Sequence, residues 1–336
     1  MQFFHPNREA KNWFATMLDY NKRGWASSLF TLRGTMVHEI GGRVLMSFVW
    51  SICVVATHQL FVPLPLDATM HSLVGVALGL LLVFRTNASY DRFWEGRRQW
   101  GSIINESRNL GRAARAYLEA APDLKQELVL WTCAFPHAAK NYLRGTSGVG
   151  AMTPKLPPPD AEIISKVGNA PLAVCLRISQ VLVRARDRGL ISDYVMMTID
   201  HNVQLLIDYY GSCERIYKTP LPFIYVVHLR RALVLYCYTL PFALVGSFGW
   251  WAIFATLLIS YTFYGIEEIG VEIENPFGLD PSDLPMEGFC DTIERDLREI
   301  SALPAPTILA AAHSTPEAAN GATNSQSNAN LADSSY

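Results

Sequence analysis

Histidines, cysteines and acidic side chains are the groups in this 336-residue chain that could carry catalytic or metal chemistry. His38 stands beside Glu39, and His71, His137, His201 and His228 are scattered through the sequence. A zinc hydrolase of the HExxH type needs two histidines one helical turn apart with a glutamate between them, and a serine hydrolase needs a nucleophile elbow. Neither pattern occurs, so the histidines read as structural and the chain as no enzyme. Cys53, Cys133, Cys175, Cys213, Cys237 and Cys290 form no CxxC pair, which argues against a zinc knuckle and a disulfide framework. Cys53 and Cys237 lie inside apolar runs and read as buried thiols.

A different pattern remains, in the stretch LGLLLVFRTNASYDRFWEGRRQW at 78–100. An apolar run stops at Arg85, and a polar and aromatic segment follows with no Pro or Gly to break a helix before Glu95. Val76, Leu80 and Phe84 recur every four residues and make one stripe on such a helix. By periodicity alone the stripe faces lipid or a protein core. Gly75 and Gly79 form a GxxxG pair, which is either a close-packing surface in lipid or two incidental glycines. Asn87, Asp91, Arg92 and Glu95 are too polar to face lipid and mark a water-filled or protein-lined exit from the membrane.

The elements that must position this helix follow from composition. The chain is 50% hydrophobic but only 17% charged, with a mean hydropathy of +0.14. That is a low charge content for a soluble protein. The net charge of -2 argues against a nucleic-acid partner. Four apolar segments, at 44–62, 68–84, 232–249 and 250–266, approach bilayer-spanning length and pair into two hairpins. The connections FVPLPLDAT and GSFGWW lack Lys and Arg, whereas Arg33, Arg43, Arg85, Arg92, Arg230 and Arg231 flank the opposite ends. The positive-inside rule then places both termini and the middle region in the cytoplasm, with Trp250 and Trp251 in an interfacial belt.

The expected organisation has six parts: a cytoplasmic segment at 1–43, a first transmembrane hairpin at 44–84, and a helical cytoplasmic region at 85–224. A second hairpin at 225–266, a cytoplasmic segment at 267–303 and a disordered tail at 304–336 complete it. No strand-type alternation is present, so the fold class is an all-α membrane protein with four transmembrane helices. GTSGVGAMTPKLPPPD reads as a Gly/Pro loop, and Ser192 or Asp193 as the N-cap of the helix that follows. The charged N-terminus has no apolar core of the kind a cleaved secretory signal requires.

Five motifs in order, FRTNASYDRFWEGRRQWG, GSCERIYKTPLPFIY, TLPFALVG, ISYTF and ENPFGLDPSDLPM with TIERDL, make residues 30–300 similar to the bestrophin family, in particular its bacterial members. The resemblance implies a bestrophin-like homopentameric ion channel with one pore on the five-fold axis. It implies that the second membrane helix lines that pore and that Val76, Leu80 and Phe84 form a hydrophobic neck. The stripe then becomes pore-lining. Rings of apolar side chains gate by dewetting. Val76 and Leu80 are smaller than the aromatic residues of animal members, which implies a wider neck. A second constriction at the cytosolic exit falls in LISDYVMM, with Tyr194 the nearest match and Ile191 the fallback.

ENPFGLDPSDLP corresponds to the calcium-binding acidic loop of animal members. Asp280 and Asp283 hold acidic positions, but Leu279 replaces an acidic residue, and Pro281 and Ser282 interrupt the run. Calcium needs several oxygen ligands, so this loop reads as a degraded site and no cofactor is expected. Asp283 also reads as the N-cap of the helix after it, with Pro285 in the first turn. Glu267, Glu268, Glu272 and Glu274 either charge the cytosolic vestibule or form a solvated helix face, the second being favoured. The expected cargo is small inorganic ions, chloride first. A sodium channel, as in some bacterial members, and a non-conducting scaffold that binds a partner stand as alternatives. The expected setting is the inner cell membrane, as a multi-pass protein whose partners are lipid and its own copies.

Overall fold

The computed structural model describes residues 36–63, 66–280 and 282–304. The expectations for Arg33, for most of the N-terminal segment, for Pro281 and for nearly all of the tail lie outside the described residues. Among the described residues regular structure is helical: α1 Val37–Leu60, α2 Ala68–Tyr117, α3 Pro122–Leu143, α4 Pro158–Lys166, α5 Ala170–Asp187, α6 Asp193–Lys218, α7 Phe223–Phe248, α8 Ala252–Glu272 and α9 Met286–Ala302.

α2 is a single helix of 50 residues, which at 1.5 Å per residue is about 75 Å long. Asp67 caps its first turn by accepting the Thr69 N–H at 2.8 Å. Nothing within it forbids helix, because it contains no proline. It ends at Leu118, and Pro122 then opens α3 at a position where its missing N–H costs nothing. The Gly/Pro stretch holds a 3-10 turn at Gly150–Lys155, preceded by Gly145 and Gly148 at positive φ. Ser192 is the N-cap of α6, and its hydroxyl accepts the Val195 N–H.

Two packed bodies share α2. Its N-terminal half packs with α7 and α8, which also hold α1, around Ile40, Leu78, Leu82, Leu233, Leu240 and Tyr264. Its C-terminal half packs with α3, α6 and α9 in the larger core, which includes Trp100, Leu110, Leu128, Trp131, Leu206 and Leu297. α5 completes that bundle against α3 and α6.

The expectation of four membrane spans as four separate stretches is corrected. Among the described residues three helical stretches are long and apolar enough to cross a bilayer: Val37–Leu60, Ala68–Tyr117 and Phe223–Glu272. The third and fourth expected segments are one stretch, because the residues between them, Gly249–Trp251, form a 3-10 turn that is itself apolar and leaves the run uninterrupted. Within that stretch α7 and α8 pack against each other, and the Tyr236 and Phe263 rings meet edge to face at 5.3 Å. Gly249 at φ 54 supplies a backbone conformation that other residues rarely adopt. A second correction concerns cysteine: Cys237 is buried as expected, but Cys53 points outward from α1.

Candidate pore-lining helix

The membrane half of α2 has two unlike faces. Leu78, Leu82, Arg85 and Ser89 are buried at helical spacing. Val76, Leu80 and Phe84 are 75%, 55% and 57% exposed and form a continuous apolar strip on another face. The three neck candidates therefore share one face, and no packing within the subunit consumes it.

Gly75 and Gly79 play different parts. A Cβ on Gly75 would stand 2.6 Å from the Tyr236 hydroxyl oxygen, whereas one on Gly79 would meet nothing within 4 Å. Only Gly75 permits close approach, of α2 to α7. Tyr236 cannot easily yield, since its ring is held by His71 at 4.2 Å as well as by Phe263. Gly75→Val should destabilise the subunit by about 1–3 kcal/mol through overpacking. The thermal midpoint in detergent is expected to fall further for Gly75→Val than for Gly79→Val; equal effects would contradict this packing.

Arg85, the residue after Phe84, turns inward. Its side chain is 1% exposed and donates to Glu267, itself 1% exposed, at 2.8 Å. Glu267 also takes Arg230 from α7 at 2.9 Å and Arg43 from α1 at 3.3 Å. Arg43 reaches Glu268 at 2.8 Å, and Arg85 lies 3.8 Å from Glu274. One carboxylate thus joins guanidinium groups from all three neighbouring helices. Gly270, one turn beyond Glu267, lies beside the Arg85 stem, where a Cβ would make only ordinary contact with it.

This overturns the solvated-face reading of the glutamates. Glu267 is buried, Glu272 accepts from the Ser282 hydroxyl at 2.7 Å, and Glu274 accepts the Leu221 N–H at 3.1 Å. The available signal was the set of arginines at the ends of the apolar segments, which needed a counter-charge at the same depth.

Below this hub Arg92 donates to the carbonyls of Glu274, Ile216 and Thr219. It ties α2 to the C-terminal ends of α6 and α8, where helix carbonyls lack intrahelical partners. Glu95 is engaged by Arg98 and Gln99, while Asn87 and Asp91 are exposed. The polar continuation of the stretch is therefore lined by protein on one side and open on the other.

At the proposed cytosolic constriction the two candidates separate. Tyr194, in the first turn of α6, is 84% exposed, whereas Ile191 is 7% exposed and belongs to the large core. Only Tyr194 presents a free side chain in the subunit.

The acidic loop closes on itself. Asp283 is buried, and its Oδ2 accepts the Asp280 N–H at 2.7 Å while its own N–H donates to the Asp280 carbonyl at 3.0 Å. A Cβ on Gly278 would stand 2.6 Å from that Oδ2. Burial pushes the Asp283 carboxyl up to about 6. The N-cap expectation is corrected: α9 starts at Met286 with Pro285 as its N-cap and no side-chain cap, because Asp283 is spent on the loop.

Two of the histidines have partners within the fold. His71 approaches the Tyr236 carbonyl, and His137 meets Glu294 at 2.8 Å. No group of three or more His, Cys, Asp or Glu side chains is placed to hold a metal among the described residues. Glu294, on α9, also binds Lys155 at 2.8 Å. Burial raises its carboxyl, but His137 and Lys155 outweigh that and hold it at about 2. An acid lowered on folding stabilises the fold above its unfolded value, 4.5. That contribution is lost as pH falls through the folded value. Glu294→Gln is expected to cost on the order of 2 kcal/mol at neutral pH. Its difference from the parent protein should shrink as pH drops below about 4.5 and disappear near 2. Chemical denaturation followed by circular dichroism across pH checks this; a difference constant with pH would contradict it.

An apolar helical layer that continues through one long helix into a second, larger bundle defines an integral membrane protein that is all-helical among the described residues. Residues 17–299 match the family described as bacterial/fungal bestrophin protein. The chain belongs to that family. A protein of Nostoc sp. named a voltage-dependent anion channel-forming protein is 37% identical over 286 residues, 84% of this chain and 93% of that one. An Escherichia coli K12 protein of the same descriptive name is 30% identical over 279 residues, 82% of this chain and 91% of its own. The crystal structure of a bacterial bestrophin homologue from Klebsiella pneumoniae superposes with a TM-score of 0.74 at 32% identity, covering 79% of this chain and 100% of that one.

Proposed function

We propose that this chain is the subunit of a homopentameric channel that conducts small anions, chloride first, through a pore lined by α2. The observation that carries the reading is the exposed apolar strip Val76, Leu80 and Phe84, backed directly by the buried Arg85–Glu267 pair. A helix pinned through its charged side and bare on its greasy side fits a neck in which each subunit supplies one stave. The relatives named as anion channel-forming proteins support the choice of ion. Tyr194 forms the second, cytosolic constriction.

In this reading α7 and α8 cross the membrane separately, turning at Gly249–Trp251 with Trp250 and Trp251 at the far interface. Both termini then lie on the cytoplasmic side of the inner cell membrane. The Asp280–Asp283 loop works without calcium, because Asp283 already serves the backbone of Asp280.

The test is purified protein fused into planar bilayers under a salt gradient, with native mass spectrometry of the same preparation. Current with a reversal potential on the chloride side, from a five-subunit particle, is expected. A reversal on the cation side would replace chloride by sodium. Silence over many fusions, in Leu80→Ala as well, would favour a non-conducting scaffold.

A further inference from the structure

The exposed face of α2 continues past Phe84. At about 100° per residue, Asn87 lies within about 20° of Val76 and Leu80, and Asp91 within about 20° of Leu80 and Phe84. Both are exposed, and the helix runs through them unbroken. Rotation at this level is fixed, because Arg92, the next residue, is bonded to carbonyls of three other residues on the opposite, packed side. Asp91 is therefore held on the strip that carries the neck.

Its charge is uncompensated. Asp91 has no ion-pair or hydrogen-bond partner among the described residues. The nearby cations are engaged elsewhere: Arg97 lies over the Phe289 ring at 4.9 Å, and Arg98, which shares the Asp91 face further down, is paired with Glu95. A lone carboxylate here contrasts with Glu267, Glu268 and Glu95, each of which has a guanidinium.

We propose that Asp91 limits the anion selectivity of conduction. Repeated by the subunits around the pore axis, it makes a ring of carboxylates about 10 Å below Phe84. The ring concentrates small cations at the cytoplasmic mouth of the neck and opposes anions there. This rests on the reading of α2 as the pore wall. An apolar neck has no charge with which to choose between ions, so an unpaired charge on the same face shifts the balance that the rest of the pore sets. The anion preference of this channel is consequently weaker than it would be without the ring.

Parent protein, Asp91→Asn and Asp91→Glu are compared in planar bilayers under a potassium chloride gradient. Asp91→Asn is expected to raise the anion-to-cation permeability ratio several-fold, while Asp91→Glu stays near the parent. Glu162→Gln, an exposed carboxylate on α4 far along the chain, should leave the ratio unchanged. A second measurement needs no variant: the parent's ratio should rise with ionic strength as the ring is screened. If the parent conducts and Asp91→Asn leaves the ratio unaltered, the proposal is overturned and the channel reading stands. If Asp91→Asn fails to assemble, a parent ratio independent of salt overturns it just as well. A parent that never conducts removes the channel reading and this proposal together.

Discussion

Glu267→Ala is expected to cost about 3–5 kcal/mol, because it strands a buried guanidinium. Arg85 is 1% exposed and would keep only Glu274, at 3.8 Å. Arg43 and Arg230 are about half exposed and can hydrate once released, so Arg85 carries most of the penalty. Arg85→Ala should be similarly severe for the converse reason, although Glu267 would retain its two outer arginines. Removing both charges is expected to be milder than either single change. Replacing a buried pair with apolar side chains of similar volume is often neutral. Arg85→Leu with Glu267→Leu should therefore recover most of the lost stability. Thermal unfolding in detergent, arranged as a double-mutant cycle, isolates the coupling. A double variant as unstable as the sum of the singles would mean that the two side chains act independently.

Leu80→Ala and Leu82→Ala form the second test, since two leucines two positions apart should fail in opposite ways. Leu82 is 1% exposed in the membrane core, and its truncation is expected to cost about 2–5 kcal/mol. Leu80 is 55% exposed and touches little within the subunit, so Leu80→Ala should leave stability nearly unchanged. Its effect belongs to the current. Three carbons, two of them methyls, vanish from each stave, the ring widens, and the energy needed to keep water in the neck falls. Conductance or open probability should rise several-fold in single-channel records, with the pentamer intact by native mass spectrometry. If Leu80→Ala lowers current or breaks the assembly, the strip is a packing surface between subunits and not a pore lining.

Much of this was legible in the residues. The unbroken helix through LGLLLVFRTNASYDRFW follows from the absence of proline, whereas the break before Pro122 interrupts a stretch whose spacing reads as helical throughout. The exposure of Val76, Leu80 and Phe84 follows from their four-residue spacing combined with the family resemblance; spacing alone favoured lipid or core. Other features depend on partners distant in sequence. Glu267 reads as solvated in sequence because nothing local reveals that Arg43, Arg85 and Arg230 converge on it from three helices. Asp283 carries a correct N-cap signature, yet a backbone N–H three residues earlier takes its carboxylate first. The turn at Gly249–Trp251 reads as a loop in sequence, but its residues are 3-10 helical and join α7 to α8 without a break.

The length of α2 has a mechanical consequence. Arg92 fastens the helix near its middle to the ends of two others, which makes that point a fulcrum. Leu80 lies about 18 Å to one side of it and Gly111 about 28 Å to the other. At Gly111 the helix has no side chain to spare: a Cβ there would overlap Leu297 of α9 at 2.1 Å. A rod with no proline hinge transmits tilt along its whole length. A displacement of about 1 Å imposed by α9 at Gly111 would swing Leu80 the other way by about 0.6 Å. In the proposed ring of staves, that changes the width of the passage by about 1 Å. In that reading α9 of each subunit holds the long arm of a lever whose short arm is the neck.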